Sequence, residues 1–484
     1  MKKDQKASFI WIPLGILLVV SMGWFLFDLV LACVNYAPER GVFSSRFVGF
    51  ANFDQLFAAA DFPALLGNSL THSMLNILCA LLFGAPLALV LGFIPNRHVK
   101  AGFAGAALVI ALLPEVFWVR GVQNLLPADT LNAPDAFLAA YMLCRLAPMT
   151  AMTVFAGLAL HLAEDKNSVI GALTVGLLPL LTLFTPETGT ASLLQTAGNC
   201  RVSDTLYTAA GRIARFDGRY SLGEAMTLTG VCFNLLAGIG FVFALGAIIS
   251  RKNGMAKSPA SDGGWFAHSA PGLAGAAAAG LIVLLVWALS NDLSADKMAG
   301  LASFHPLGAG MVAAALAFGA CMLLFAGSRY CRSGFGIMFI IFLLMQMSVS
   351  HVSHHLAAVR LGISNITMPA AIGVFTRPLF ITVLAVLMAC RPITGRQLLF
   401  TSGGAACIAA AITAGDWITS AIYTINVRSG AQPLPAAISL IGAAGAESFF
   451  LLITFIAVAI LGICGAMLTF AGLGGTQLKK EKSF

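Results

Sequence analysis

The chain has 484 residues, of which 59% are hydrophobic and only 10% are charged. Soluble globular domains carry roughly 25% charged residues, and a soluble fold of this length cannot cover so much apolar surface. The composition therefore predicts an integral membrane protein. The formal net charge is +8, which in a chain of this class indicates basic anchors in cytoplasmic loops rather than nucleic-acid binding.

Long apolar runs recur along the chain and predict about twelve membrane-spanning helices in an all-α fold. The first run is too long for the core of a cleavable signal peptide, about 7–15 residues, and is long enough to cross a bilayer, which needs about 20. We expect it to be retained as an anchor. The predicted spans are residues 9–33, 69–94, 101–122, 137–162, 168–184, 226–250, 266–290, 306–327, 335–357, 367–390, 398–415 and 446–474.

Positive charges cluster in alternate loops, as the positive-inside rule requires of cytoplasmic segments. This pattern predicts that both termini are cytoplasmic and that segments 35–68, 185–225 and 416–445 lie outside. The basic positions are Lys2, Lys3 and Lys6; Arg97 and Lys100; Lys166; Arg251, Lys252 and Lys257; Arg329 and Arg332; Arg391 and Arg396; and Lys479, Lys480 and Lys482.

A polar segment rich in Gly, Ser and Pro, residues 251–264, has the composition of a linker. It predicts a first half at residues 1–250 and a second at 265–484, each with about six spans. An even number of spans gives both halves the same orientation, and such parallel repeats are a common way to build a transporter.

Short motifs in the first half resemble the MalF-type permease subunit of bacterial ATP-binding-cassette (ABC) sugar importers. They occur in the order and at the spacing of that family. The motifs are Phe47–Phe57, Asn68-Ser69-Leu70, Gly84-Ala85-Pro86, Leu113-Pro114 and Asp204-Thr205-Leu206-Tyr207, followed by Gly211, Gly218, Tyr220-Ser221 and Ala225.

The second half is similar to the partner subunit of the same importers, the MalG type. The motifs are Leu361–Asn365, Met368-Pro369, Phe375, Gly415–Ile418, Ala421, Tyr423 and Pro433-Leu434. The resemblance implies a type I importer permease, with both subunits fused, in the bacterial plasma membrane.

In such importers an extracytoplasmic binding protein delivers the solute, here a sugar, oligosaccharide or related compound, and a separate cytoplasmic ATPase dimer hydrolyses ATP. The chain itself has no GxxxxGK[ST] motif. We therefore expect neither an enzyme nor a cofactor-binding protein.

The family couples to its ATPase through a cytoplasmic EAA loop. The resemblance assigns this role in the first half to Glu164, Asp165 and Gly171, followed by Leu178-Pro179. In the second half the loop shrinks to residues 391–397, with Arg391 and Arg396 and no EAA sequence. Two outcomes stay open: coupling through a divergent contact, or a permease-like membrane protein that is not coupled to ATP.

Two arginines fall inside predicted spans, where a charge is costly and usually faces a cavity or the bundle interior. Arg145 lies in the fourth span and Arg377 in the tenth, at equivalent positions of the two halves. Facing one cavity, they would hold an anionic sugar or another carboxylate by bidentate hydrogen bonds. Alternatively, each pairs with a helix carbonyl or with Glu115 or Glu447 and holds helices together.

Several other polar or aromatic residues are candidates for the solute path. Asn76, Asn234 and Gln346 either line the path or bond across helices. Trp417 either stacks on a sugar ring or belongs, like Trp118, to the aromatic belt at the membrane surface.

Three histidines, His351, His354 and His355, have helical spacing that places two imidazoles on one face. No carboxylate lies nearby in sequence, so we interpret them as interfacial residues and predict no metal site.

Two other classes of function remain open. A secondary transporter with two six-helix repeats would need an ion site at depth, for which Asp28, Glu115 and Glu447 are the candidate carboxylates. A membrane scaffold without transport is the other alternative.

Overall fold

The computed structural model describes residues 25–126, 128–164, 169–184, 188–252, 395–415 and 446–474, together with residues 23, 314, 318 and 356. The larger part of each of five predicted spans therefore lies outside the described residues, as do linker residues 253–264. These spans are 9–33, 266–290, 306–327, 335–357 and 367–390.

The described part of the chain is built almost entirely of helices. A helical segment at residues 25–33 leads into the strands β1 (Val34–Asn35) and β2 (Arg46–Phe47), which pair antiparallel with Val34 opposite Phe47. The helices that follow are α1 (Ala51–Ala58), α2 (Phe62–Cys79), α3 (Ala85–Gly92), α4 (Arg97–Leu112), α5 (Glu115–Leu125), α6 (Pro134–Glu164), α7 (Val169–Gly176), α8 (Thr188–Leu194), α9 (Cys200–Ser203), α10 (Leu206–Phe216), α11 (Tyr220–Lys252), α12 (Gly395–Gly415) and α13 (Ala446–Gly474).

Three of the described helices are long and apolar enough to cross a membrane: Phe62–Gly92, Pro134–His161 and Ile456–Leu473. They coincide with the spans predicted at 69–94, 137–162 and 446–474. The first is α2 and α3 joined by a π-helical turn, Ala80–Gly84, in which the Ala85 N–H bonds to the Ala80 carbonyl five residues back. The turn precedes Pro86, which has no N–H to continue the regular hydrogen-bond ladder. A helical membrane protein is thus supported, whereas twelve spans in two halves stay a prediction.

Two predicted spans differ from continuous helices. The run 101–122 is divided into α4 and α5, which meet at 76°. Pro114 explains the break, because the residue before a proline is driven to extended backbone, and Leu113 has ψ 135°. The run 168–184 is α7 followed by a 3-10 turn, Leu178–Thr182, with Pro179 at its start.

Small residues set the contact between α3 and α6. A Cβ on Gly157 would lie 2.7 Å from the Cβ of Ala88, and one on Gly84 would lie 2.5 Å from the Cβ of Thr153. Since lipid is as apolar as a leucine side chain, helices in a membrane associate through such close packing rather than through hydrophobic burial.

The C-terminal helices pack against the first half of the chain. A Cβ on Gly462 in α13 would lie 3.0 Å from the Val109 side chain in α4, and the rings of Phe155 and Phe470 are 6.4 Å apart. One hydrophobic cluster therefore contains residues from both sides of the predicted linker, among them Leu108, Phe155, Ile408, Val458 and Phe470.

We expect Gly157→Val to destabilise the helix bundle, because its side chain would overlap Ala88 and force α3 and α6 apart. Overpacking of this kind costs about 1–3 kcal/mol. Thermal unfolding of the purified protein in a mild detergent measures the effect. Gly102→Val, at a helical glycine with open space around it, is the matched control, and equal losses in both variants would contradict the packing argument.

Candidate functional site

Arg145 is a charged residue buried near the middle of the apolar helix α6, with 5% of its surface exposed. At a rise of 1.5 Å per residue it lies about 17 Å from the start of a helix that continues for 19 further residues. A guanidinium at such depth requires polar partners, because lipid supplies none.

The partner of Arg145 on the neighbouring helix is Asn76. The Arg145 Nε donates a hydrogen bond to Asn76 Oδ1 at 3.1 Å, and Asn76 Nδ2 donates to Tyr141 Oη at 3.4 Å. The Arg145 Nη2 also contacts Met149 Sδ at 3.8 Å. Asn76 therefore bonds across helices, which is one of the two roles that the sequence predicted for it. Its partner is the arginine that was predicted to bind the solute.

An aromatic stack lies beside this amide. The rings of His72 and Tyr141 are 4.5 Å apart at an interplanar angle of 25°, and Phe137 packs 5.6 Å from His72. The His72 Nε2 lies 3.0 Å from the Val202 carbonyl and so carries the proton. Its Nδ1 is then an acceptor, buried and without a hydrogen-bond partner among the described residues.

The break between α4 and α5 lies within electrostatic range of Tyr141. Glu115, the first residue of α5, and Arg145 both interact electrostatically with the Tyr141 phenol. Trp118 packs against two hydrophobic clusters, and its predicted place in the aromatic belt stays a prediction. The Trp118 indole N–H and the Thr150 hydroxyl are buried without a hydrogen-bond partner among the described residues.

Four polar side chains at i, i+3, i+4 and i+7 form one buried face of α2. We call Ser69, His72, Ser73 and Asn76 the polar stripe. Ser69 Oγ accepts from the Leu206 N–H at 3.0 Å, and Ser73 Oγ donates to the Thr182 carbonyl at 3.2 Å. The stripe thus runs from the predicted outside segment to Arg145, and its spacing was readable in the sequence although only Asn76 was singled out.

Residues 188–225 of the predicted outside segment form a folded cap. Asp204 forms an ion pair with Arg212 and accepts from Thr208 Oγ1 at 3.1 Å. Asn68 Nδ2 donates to the carbonyls of Arg201 and Asp204, both at 2.8 Å. These bonds attach the cap to the N-terminal half of α2, next to the polar stripe.

Asn234 bonds to a different segment of the chain. Its Oδ1 accepts from the Phe184 N–H at 2.6 Å, which corresponds to the predicted alternative of bonding across segments. Gly171 lies buried on α7, and Glu164 is the last residue of α6.

The remaining predicted residues have no described side chain. Arg396 and Glu447 are placed only as helical positions, on α12 and α13. Outside the described residues lie Arg377, Gln346, Trp417, Asp165, Arg391, Tyr423, His351, His354 and His355.

A buried carboxylate escaped the sequence analysis. Glu224 on α11 has no exposed surface, and neither has Asp28 on the helical segment 25–33. The two elements pack together through Ala32, Ala225 and Leu228. Glu224 was missed because it precedes the predicted span 226–250 and was assigned to the outside loop. Among the described residues no group of three metal-binding side chains occurs.

No family model, no curated protein and no solved structure matches the chain.

We expect Asn76 and Arg145 to be energetically coupled. The free energies of unfolding of Asn76→Leu, Arg145→Met and the double variant give a double-mutant cycle, and contacting polar residues couple by about 0.5–3 kcal/mol. Asn199→Ala combined with Arg145→Met is the control, because Asn199 bonds to the Leu131 and Leu194 carbonyls instead. Additive losses for the Asn76 pair would mean that their hydrogen bond contributes nothing.

Proposed function

We propose that the chain is the membrane-spanning permease component of a binding-protein-dependent ABC importer in the bacterial plasma membrane. Its solute would be a sugar, oligosaccharide or related compound that carries an acidic group. The observation that carries this proposal is the burial of Arg145 in the middle of a candidate spanning helix. The order of the permease-like motifs in both halves supports the transporter class.

The chemistry of the site favours an anionic solute. A guanidinium presents its N–H donors in a planar fork that matches a carboxylate, and such charge-assisted bonds are about twice as strong as neutral ones. The Met149 thioether that Arg145 contacts is a weak acceptor. In the proposal a solute carboxylate replaces the Met149 contact, while Asn76 holds the Nε and keeps the fork oriented. In the proposal Arg377, Gln346 and Trp417 complete the site from the second half.

The same helix connects the proposed solute site to the proposed coupling loop. Arg145 and Glu164 are separated by about 28 Å of α6. Pro148 lies inside the helix less than one turn from Arg145, and a proline interrupts the ladder where a helix bends most easily. Movement imposed by an ATPase dimer at residues 164–171 and 391–396 would therefore reach the guanidinium as a rotation about this point.

A second candidate function is ion-coupled secondary transport. The buried carboxylates Asp28 and Glu224 support this candidate. A buried carboxylate is costly to ionise, which suits a group that takes up and releases a proton during transport. Both residues lie in the first half, one on the helical segment 25–33 and one on α11, and these elements pack together.

The solute class is tested by binding to the purified chain in nanodiscs. We expect an oligogalacturonate to raise the unfolding temperature and a neutral oligosaccharide of equal length to leave it unchanged. In Arg145→Gln the loss of one charged hydrogen bond, about 1.5–3 kcal/mol, should weaken binding roughly tenfold to a hundredfold.

The controls separate a loss of binding from a loss of fold. Arg120→Gln removes the same charge from an exposed position and should bind normally. Arg145→Lys keeps the charge without the planar fork and should be intermediate. Equal response to acidic and neutral sugars, or normal binding by a folded Arg145→Gln protein, would refute the arginine site.

The energy source is tested by uptake of the bound sugar into proteoliposomes. An importer permease needs its ATPase and ATP, so we expect no uptake by the chain alone under a proton gradient. Gradient-driven uptake without ATP that is lost in Glu224→Gln would overturn the ABC proposal and establish the second candidate.

A further inference from the structure

Four phenylalanine side chains are exposed in the segment between the helical segment 25–33 and α2. The exposed fractions are 81% for Phe43, 73% for Phe47, 68% for Phe50 and 52% for Phe57. We call these residues the phenylalanine surface. Single exposed apolar residues are ordinary, but several large ones within fifteen positions mark an interaction site.

The segment that carries the phenylalanine surface is fixed to the bundle by its other side chains. Val42 is buried in a cluster with Leu31, and Leu56 is buried in a cluster with Leu65. The Ser45 hydroxyl donates to the Gly41 carbonyl at 2.6 Å and accepts from the Ala37 N–H at 3.0 Å. The rings therefore point outward from an anchored backbone.

The position of the rings along the helical segment 25–33 gives their depth. The ring of Phe43 lies 6.2 Å from that of Phe27, and Phe27 precedes the last helical residue, Cys33, by about 9 Å. Phe47 lies opposite Val34, which follows the helix directly. The chain thus folds back beside the last turns of a predicted span, at a level where the neighbouring Leu26 is 50% exposed.

The other end of the phenylalanine surface meets a candidate spanning helix. The ring of Phe57 lies 5.2 Å from that of Phe62, where the candidate span Phe62–Gly92 begins. Along that span, exposed apolar side chains continue the same kind of surface at Met74, Leu78, Leu82, Phe83, Leu87 and Val90.

Exposed charges border the rings. Arg46 is adjacent to Phe47 in β2, and Arg40 lies in the preceding turn, with Glu39 and Asp54 also exposed. An arginine fork matches a phosphate group in geometry and charge, and a segment with apolar rings on one side and cations at its edge is typical of a structure lying in the membrane interface.

We propose that the phenylalanine surface is inserted into the outer leaflet of the membrane, with its rings among the upper acyl chains and Arg40 and Arg46 at the phosphates of anionic phospholipids. The segment then fastens the outer end of the helical segment 25–33 to the lipid. This inference requires that the chain spans a membrane with the segment between the helical segment 25–33 and α2 on the outer side, as the positive charges predict, and it is independent of the transported solute.

The test uses the purified full chain in nanodiscs of phosphatidylethanolamine and phosphatidylglycerol, part of the latter bearing a diazirine on its acyl chain. Hydroxyl-radical footprinting and photolabelling are both read by peptide mass spectrometry. We expect Phe43 and Phe47 to escape oxidation and to carry lipid adducts. Cys200, exposed on the cap, should be oxidised, and the peptide containing Leu82 should carry adducts as the lipid-facing control.

Two results would overturn the proposal. Oxidation of Phe43 and Phe47 without lipid adducts would place the surface in water, where a soluble protein partner is the better occupant. Protection without adducts would mean that a second copy of the chain covers it.

The arginine contacts are tested by the double variant Arg40→Gln/Arg46→Gln, in which both changes are at exposed positions. We expect loss of the preference for labelled phosphatidylglycerol over labelled phosphatidylcholine, with adducts at Phe43 retained. An unchanged preference would show that the arginines do not contact lipid phosphates.

Discussion

A charge held inside apolar helices is the constraint on which the described structure depends. Arg145 is almost completely buried in a helix that can cross a membrane, so its polar contacts must come from protein, water or a bound solute rather than from lipid. The Asn76 Oδ1 accepts a hydrogen bond from Arg145, and the Asn76 Nδ2 donates one to Tyr141. The His72 ring stacks on the Tyr141 ring. The guanidinium thus determines which face of α2 turns toward α6.

The close approach of the helices follows from the same environment. In water, α3 and α6 would be driven together by burial of apolar surface, but lipid removes that driving force. Gly84 lies against the Thr153 side chain and Gly157 lies against the Ala88 side chain. Because neither glycine has a Cβ, the two helices can approach closely. This contact and the Asn76 bond both join α6 to the span Phe62–Gly92, the contact at residues 84–88 and the bond about two turns earlier, at residue 76.

The sequence predicted three long apolar helices, at 69–94, 137–162 and 446–474, and the position of Arg145 inside one of them, because each is recorded locally in hydropathy and charge. It did not predict that Arg145 would be paired with Asn76, since the two are 69 positions apart and only the packing of α2 on α6 brings them together. Hydropathy also did not predict the break at Pro114, because the apolar run continues through the 76° bend between α4 and α5. Glu224 was overlooked because it is a charged residue just outside a predicted span, although it is buried in the structure.

The polar stripe of α2 connects the cap to the buried arginine through hydrogen bonds along one helix face. Ser69 and His72 bond to the backbone of residues 202–206, and Asn76, one turn further along the same face, bonds to Arg145. The cap is itself braced by the Asp204–Arg212 ion pair and by Asn68. A partner that displaces the cap must therefore either break these bonds or rotate α2, and rotation of α2 moves the amide that orients the guanidinium. In the proposed importer, a binding protein that docks on the cap would therefore act on the proposed solute site through these hydrogen bonds rather than through a general loosening of the bundle.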